Sequence, residues 1–334
     1  MGHGLCWYSD SKPPDYEYGD INKLNINEEQ LQILIKKAED TDSQALLIVK
    51  HDKLIVEKYW RLESSFEFPL QSITKSLTSL AIGCLIDEGK LSLDDRANKW
   101  FKEWSGEKSK ITIRHLLTHT SGIQENADVM EKSKNQLQFA MDQPITTVPG
   151  ENYYFSEAGV FLLGEIVKRV SGVPVDEYLE RKIFKPLNIT HWSWKKDSAG
   201  NVIGNGGAAM TARELLKIGT LLLQKGKWQG ESLISENYLE MALQASEKKD
   251  TYGFLFVLFS RGYYAAGKFG QFLLMIPKHD TIVVRLRTPV GKGEQNFSNK
   301  HWETLPKETR DLFKKTSDSD KPKKPEKSSS SSEN

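Results

Sequence analysis

Cysteine is nearly absent: Cys6 and Cys84 are the only two in 334 residues, too few for a disulfide scaffold or a cysteine-based metal site. Net charge is nearly absent as well. The 46 basic side chains stand against 45 acidic ones, a formal +1 that leaves no electrostatic footprint for nucleic acid or an anionic membrane. No apolar run approaches the ~20 residues that span a bilayer, because Gly or Lys interrupts the longest. The opening MGHGLCWYSD has neither a basic start nor an apolar stretch, and Leu5 before Cys6 is too large for a lipoprotein cleavage site. No signal peptide is therefore expected, and the expected location is the cytoplasm.

The charge that is present is unevenly placed. From Lys314 the chain reads KKTSDSDKPKKPEKSSSSSEN, with six Lys, four acids and no aliphatic or aromatic residue. Such a stretch has nothing to bury and is expected to be a disordered, solvated terminus, a better reading than a polyanion-binding one. The other 313 residues carry a net charge of −1 and must hold the function. At ~150 residues per domain they make one large domain or two interleaved ones.

Periodicity organises those 313 residues. Apolar spacing over 28–39 predicts a helix after an N-terminal extension of 1–27. QALLIVK and KLIVEKYW, joined through His51-Asp52, predict a β-hairpin. A helix is expected from Ser72 to near Gly89, and helical stretches broken by Gly, Pro and Asn fill 100–209, among them Ser156 to Ser171. Thr211-Ala-Arg-Glu214 reads as a capping box opening a helix that ends at Gly226. The final third turns β-rich (YGFLFVLF, GYYAAG, QFLLMIP, DTIVVRLR), with a last helix near 299–313. Strands at both ends and helices between predict an α/β (α+β) fold. Residues 28–100 plus 210–313 form the sheet domain, and 101–209 an inserted helical domain.

Three constellations carry candidate chemistry. In Ser72-Ile-Thr-Lys75 the lysine stands one helical turn from the serine, and a serine hydroxyl needs a neighbouring base to become a nucleophile. The spacing alone is common, since Ser9/Lys12, Ser105/Lys108, Ser193/Lys196 and Ser246/Lys249 repeat it. Ser72 differs in opening a long apolar helix, where the dipole and burial both disfavour a cation and lower its pKa toward a usable base. A plain helix cap with a solvated lysine is an equally good local reading. His115-Leu-Leu-Thr-His119 has metal-ligand spacing on a helix, but Leu116 occupies the place where the zincin pattern needs Glu, and a structural role is favoured. Ala266-Gly-Lys268-Phe-Gly270-Gln271 lies between two predicted strands. It suits a carboxylate-holding cation with an oxyanion-binding amide, or simply a glycine turn.

Together these pieces resemble the serine β-lactamase and penicillin-recognising family, on its class C and esterase side. The resemblance covers residues 44–290 through QSITKSLTSLAIGCLIDEGKLSLDD, ITIRHLLTHTSGI, PGENYYFSEAGVFLLGEIVKRVSG, IFKPLNIT, GGAAMTARELLKIGTLLLQKGKW and AAGKFGQFLLMIP, in that order. GGAAMTAREL and GKFGQ are most similar to the aminohexanoate-dimer hydrolase and carboxylesterase branch.

The resemblance implies an antiparallel sheet flanked by helices, with an inserted all-helical domain. It makes Ser72 the acylated nucleophile and Lys75 its proton partner, and places Lys268 and Gly270 on the strand lining the pocket. It assigns the oxyanion hole to the backbone N–H groups of Ser72 and Gln271, and treats HLLTHTSG as scaffold. It implies no metal and no organic cofactor. The family's second motif, Tyr-x-Asn after a Pro-Gly turn, falls on Phe155 and Glu157 when counted from Pro149-Gly150. Phe155 has no hydroxyl to shuttle a proton, and Glu157 beside Lys75 would hold that lysine charged. Either Lys75 and Glu157 form a modified acid–base pair, or turnover is impaired and the chain binds a peptide or cell-wall fragment. The expected partner is a small ester or amide. Pocket loops such as 123–148 carry no readable chemistry, and nothing in the chain indicates an oligomeric state.

Overall fold

Both faces of the central sheet are covered, which is why its strands read as unbroken apolar runs. The computed structural model describes residues 16–288 and 303–314. The tail from 315 and residues 1–15 of the expected N-terminal extension lie outside the described residues.

The strands are β1 (Ala45–Lys50), β2 (Lys53–Tyr59), β3 (Phe68–Pro69), β4 (Trp192–Trp194), β5 (Ala208–Met210), β6 (Lys227–Trp228), β7 (Glu231–Ser232), β8 (Val257–Phe259), β9 (Gly262–Gly267), β10 (Gln271–Ile276) and β11 (Thr281–Leu286). The helices are α1 (Glu28–Asp40), α2 (Ile73–Asp87), α3 (Ile113–Leu117), α4 (Ala127–Lys132), α5 (Gln136–Asp142), α6 (Glu157–Ser171), α7 (Val175–Leu179), α8 (Ala212–Leu223), α9 (Glu236–Ala242) and α10 (Leu305–Asp311).

The main sheet is antiparallel in the order β2-β1-β11-β10-β9-β8, so both ends of the chain build it. Side chains alternate across a strand. Ala45, Leu47 and Val49 of β1 join the core that holds α2 and α8, while Leu46 and Ile48 join the second core under α1 and α10. β10 divides the same way, with Leu273 and Met275 on one face and Phe272, Leu274 and Ile276 on the other. The β1–β2 hairpin turns at His51 and Asp52, both at positive φ (48° and 55°), as its two-residue link requires.

α2 is buried on every side, with all of Ile73–Leu85 inside, because the sheet covers one flank and α6, α7 and α9 the others. Gly83 makes the α9 contact possible: a Cβ there would stand 2.4 Å from the Tyr238 ring.

The structure departs from the sequence reading in four places. Residues 101–209 are not purely helical, since β5 pairs with β4 on one side and β3 on the other. Three-residue strands are too short to show a period of two. YGFLFVLF is strand only over Val257–Phe259, because Leu255 takes φ +63° and breaks the ladder. At the start of α8, Thr211 accepts from the Glu214 N–H at 3.3 Å. The Glu214 carboxylate instead accepts from the Thr190 N–H at 3.0 Å and pairs with Lys217 at 2.6 Å, so the expected reciprocal box is half formed. The last helix begins at Leu305; residues 299–302 lie outside the described ones. Among the described residues no helix is long and apolar enough to cross a membrane.

Candidate active site

Ser72 sits between a strained residue and a buried helix. Gln71 takes φ +53°, unusual for a non-glycine residue, and turns the chain from β3 into α2. Ser72 is the N-cap of α2 by position, yet its side chain caps nothing. Its Oγ accepts instead from Lys75 Nζ at 2.7 Å. Lys75 therefore does not lie out in solvent, as the plain-cap reading supposes, and is 2% exposed.

Lys75 Nζ has three oxygen neighbours, matching the three protons of an ammonium: Ser72 Oγ, Glu157 Oε2 at 2.8 Å and the Asn205 carbonyl at 2.9 Å. Burial pushes the Lys75 pKa below its ordinary value, with Glu157 and the more distant Glu125 opposing. Asn205 Nδ2 donates to the same Glu157 oxygen at 2.8 Å, so one residue holds both members of the pair. Phe155 lies over Lys75, its ring centroid 5.3 Å from Nζ, and offers it a π-face.

The N-terminus of α6 fixes Glu157. Ser156 caps α6 by accepting from the Gly159 N–H at 3.0 Å. Glu125 accepts from Ser156 Oγ at 2.8 Å and from the Glu157 N–H at 2.6 Å, a carboxylate where the helix dipole favours one. Burial raises the Glu125 pKa, and these hydrogen bonds oppose the rise. His119 Nδ1 accepts from the Ser156 N–H at 3.1 Å, and its ring lies 4.5 Å from that of Phe155. Burial, with the Lys75 charge nearby, drives the His119 pKa down to about 3.

His115 and His119 do not face a common point. His115 Nδ1 accepts from the Thr112 N–H and completes the cap of α3, whereas His119 follows the end of that helix at φ +56°. Tyr153 packs edge-on against His119 and Tyr252, and the Tyr154 side chain is exposed.

The β9–β10 hairpin forms the opposite wall. Lys268, Phe269 and Gly270 are its turn, with Phe269 at φ +71° and Gly270 at φ +82°. Lys268 is exposed, its Nζ 5.6 Å from the Phe269 ring centroid. Gln271 opens β10 opposite Gly267, and its buried side chain holds the Arg287 backbone. The hairpin residue nearest Ser72 is Gly267: a Cβ there would stand 2.7 Å from the Leu70 carbonyl and 2.9 Å from Ser72 N. Arg285 of β11 anchors this turn. It is wholly buried and donates to the carbonyls of Gly270 (2.5 Å) and Thr41 (2.8 Å), and burial lowers its pKa to about 9.

Two clefts meet at Ser72 and Lys268. A cleft of about 230 Å³ is walled by Lys75, Phe155, Tyr252, Leu255, Val257 and Ala265. A wider one of about 470 Å³ is lined by Gln71, Glu157, Lys195, Asn205 and Gly207. The structure thus brings Ser72, Lys75, Phe155 and Glu157 together and sets Lys268 across the opening. Sequence reasoning missed Asn205, Glu125, Tyr252 and Arg285. A cation inside the apolar DTIVVRLR run was a readable sign for the last; the others gave none.

Known proteins resemble this chain in sequence and fold. Residues 32–301 match the family model described as Beta-lactamase. An uncharacterised protein of Alkalihalophilus pseudofirmus is 24% identical over 327 residues, covering 82% of this chain and 93% of its own. An Escherichia coli protein named provisionally as a D-alanyl-D-alanine carboxypeptidase is 27% identical over 225 residues, 56% of this chain and 52% of that protein. The chain therefore spans about half the length of that relative. A solved Bacillus anthracis structure, named provisionally as a 6-aminohexanoate-dimer hydrolase, superposes with a TM-score of 0.73 at 18% identity, covering 84% of this chain and 83% of that one. At that identity the likeness is one of fold.

Proposed function

The chain belongs to the β-lactamase family, and on that premise we propose that it is a serine hydrolase acting on small esters or amides through an acyl-enzyme at Ser72. The observation that carries the reading is the buried Lys75 ammonium, 2.7 Å from Ser72 Oγ and 2.8 Å from the Glu157 carboxylate. An ammonium that spends a proton on each of three oxygens cannot also accept one. Lys75 must first hand a proton to Glu157, which presents its lone pair to Ser72. Burial of Lys75 favours that transfer by disfavouring its charged form.

Ser72 Oγ then attacks the carbonyl carbon while its proton passes to Lys75. The developing oxyanion is held by the Ser72 N–H and the main chain of the 267–271 turn, the site expected for Gln271. Lys75 returns the proton to the leaving group, and water releases the acid by the reverse relay. Lys268, across the opening with Gly270, suits a carboxylate on the substrate. The names borne by the E. coli and B. anthracis relatives, a carboxypeptidase and an aminohexanoate-dimer hydrolase, support an amide with a nearby carboxylate.

The second reading, slow turnover by a peptide-binding protein, is favoured by one observation: Phe155 places a ring where the relay would have a hydroxyl. Labelling with a fluorophosphonate probe and hydrolysis of p-nitrophenyl acetate test both. Wild type is expected to label and turn over, with Ser72→Ala doing neither. Equal behaviour of the two proteins rejects Ser72, while labelling without turnover supports the second reading.

A further inference from the structure

The smaller cleft holds polar groups that this acylation chemistry does not use, Tyr252 among them. Tyr252 is 9% exposed and lines that cleft with Ser72, Lys75 and Phe155. Its hydroxyl oxygen lies 3.3 Å from His119 Nε2. The other side of the imidazole fixes the direction of this bond. His119 Nδ1 accepts the Ser156 N–H, so it carries a lone pair. A ring neutral at ordinary pH then bears its single proton on Nε2. Nε2–H donates to the Tyr252 oxygen, and the phenolic hydrogen must point elsewhere. Among the described residues no acceptor meets it. A donor that no protein group meets is left for a ligand that brings an acceptor into the cleft.

The two clefts decide which part of a ligand arrives there. Glu157 and Asn205, the proton-exchanging side of the site, face the wider cleft, which suits the leaving group and the incoming water. The narrower cleft, walled by Leu255, Val257 and Ala265, suits the acyl chain. We infer that Tyr252 is a specificity-determining residue whose hydroxyl donates to an acceptor atom in the acyl chain. The preferred substrates are then esters or amides of short acyl groups that carry a heteroatom near the scissile carbonyl. His119 is its positioning residue. The inference rests on the Ser72 reading above, because the acyl chain is located relative to that serine. Burial beside Tyr153 and Glu157 raises the Tyr252 pKa well above its ordinary value, so the group stays a donor.

The test uses the full chain and two pairs of matched p-nitrophenyl esters. Methoxyacetate replaces one methylene of butyrate by oxygen, and levulinate replaces the branching carbon of 4-methylpentanoate by a carbonyl. Each kcat/KM is divided by the ester's rate of hydroxide hydrolysis. In at least one pair, the preference for the heteroatom ester is expected to fall about 3- to 10-fold in Tyr252→Phe, the size of one neutral hydrogen bond. Preferences unchanged in both pairs, or equal losses on every ester, overturn the inference. Ser72 is still expected to label with the fluorophosphonate probe in Tyr252→Phe; lost labelling makes Tyr252 a purely structural residue and also overturns it. Hydrolysis surviving in Ser72→Ala rejects the nucleophile instead, an outcome separate from the ester preferences.

Discussion

Lowering the pH from 7.5 to 5 is expected to weaken the fold through His119. An imidazole in the unfolded chain has its ordinary value of 6.5, whereas the buried one in the folded chain is held at about 3. The folded state therefore binds fewer protons across that interval. Its advantage is complete above 6.5 and drains away as the pH falls toward 3. At about 1.4 kcal/mol per pH unit, the loss reaches roughly 2 kcal/mol at pH 5 and approaches 5 kcal/mol below pH 3. A residue 1% exposed leaves little solvent screening to reduce these figures. The comparison protein is His119→Asn: asparagine tolerates the φ of +56°, and its Oδ1 can take over the Ser156 N–H. Urea unfolding of both proteins at pH 7.5 and pH 5 isolates the effect, because His115 and His279, also shifted down by burial, titrate in each. Wild type should lose about 2 kcal/mol more than the variant over that interval. Equal losses would refute a neutral, buried His119.

Glu157→Gln removes the proton acceptor of Lys75 and should lower kcat about 100-fold, the low end of general acid–base assistance. It also removes the charge that opposes burial at Lys75, so the acid limb of kcat/KM should move to lower pH; a move upward contradicts the pairing. Phe155→Tyr restores a hydroxyl beside Lys75 and is expected to raise esterase turnover, and unchanged turnover would indicate that Glu157 alone carries the relay. Gly267→Ala pushes a methyl group into the Leu70 carbonyl and Ser72 N; it should cost about 1–3 kcal/mol in thermal unfolding and most of the activity.

Much of this arrangement was legible in the chain because it is written in local patterns. The β1–β2 hairpin, α2 and α6 follow from alternation, an apolar run, and a Ser156 cap with a Gly172 stop at φ +83°. The Ser72–Lys75 juxtaposition needs only one helical turn. Contacts between distant segments left no such trace. Asn205 reaches Lys75 across 130 residues through a backbone carbonyl, which any amino acid could supply. Tyr252 meets His119 across 133 residues, and nothing near either one marks the other. The short β4 and β5 were hidden for a different reason, since three residues cannot display a period.

The strand at the middle of the main sheet, β11, is also the last strand among the described residues. Arg285, which holds the turn behind Lys268, bonds to Thr41 from 244 residues away. A growing chain therefore carries Ser72, Lys75 and Glu157 through most of its synthesis with one wall of the cleft unanchored and β1 lacking its inner partner. Long-range pairing of this kind forms late, after the loop-closure entropy has been met. Hydrolytic competence should thus arrive in one step as residues 281–286 slot between β1 and β10, and fragments ending before them should be inert toward substrate however much helix they contain.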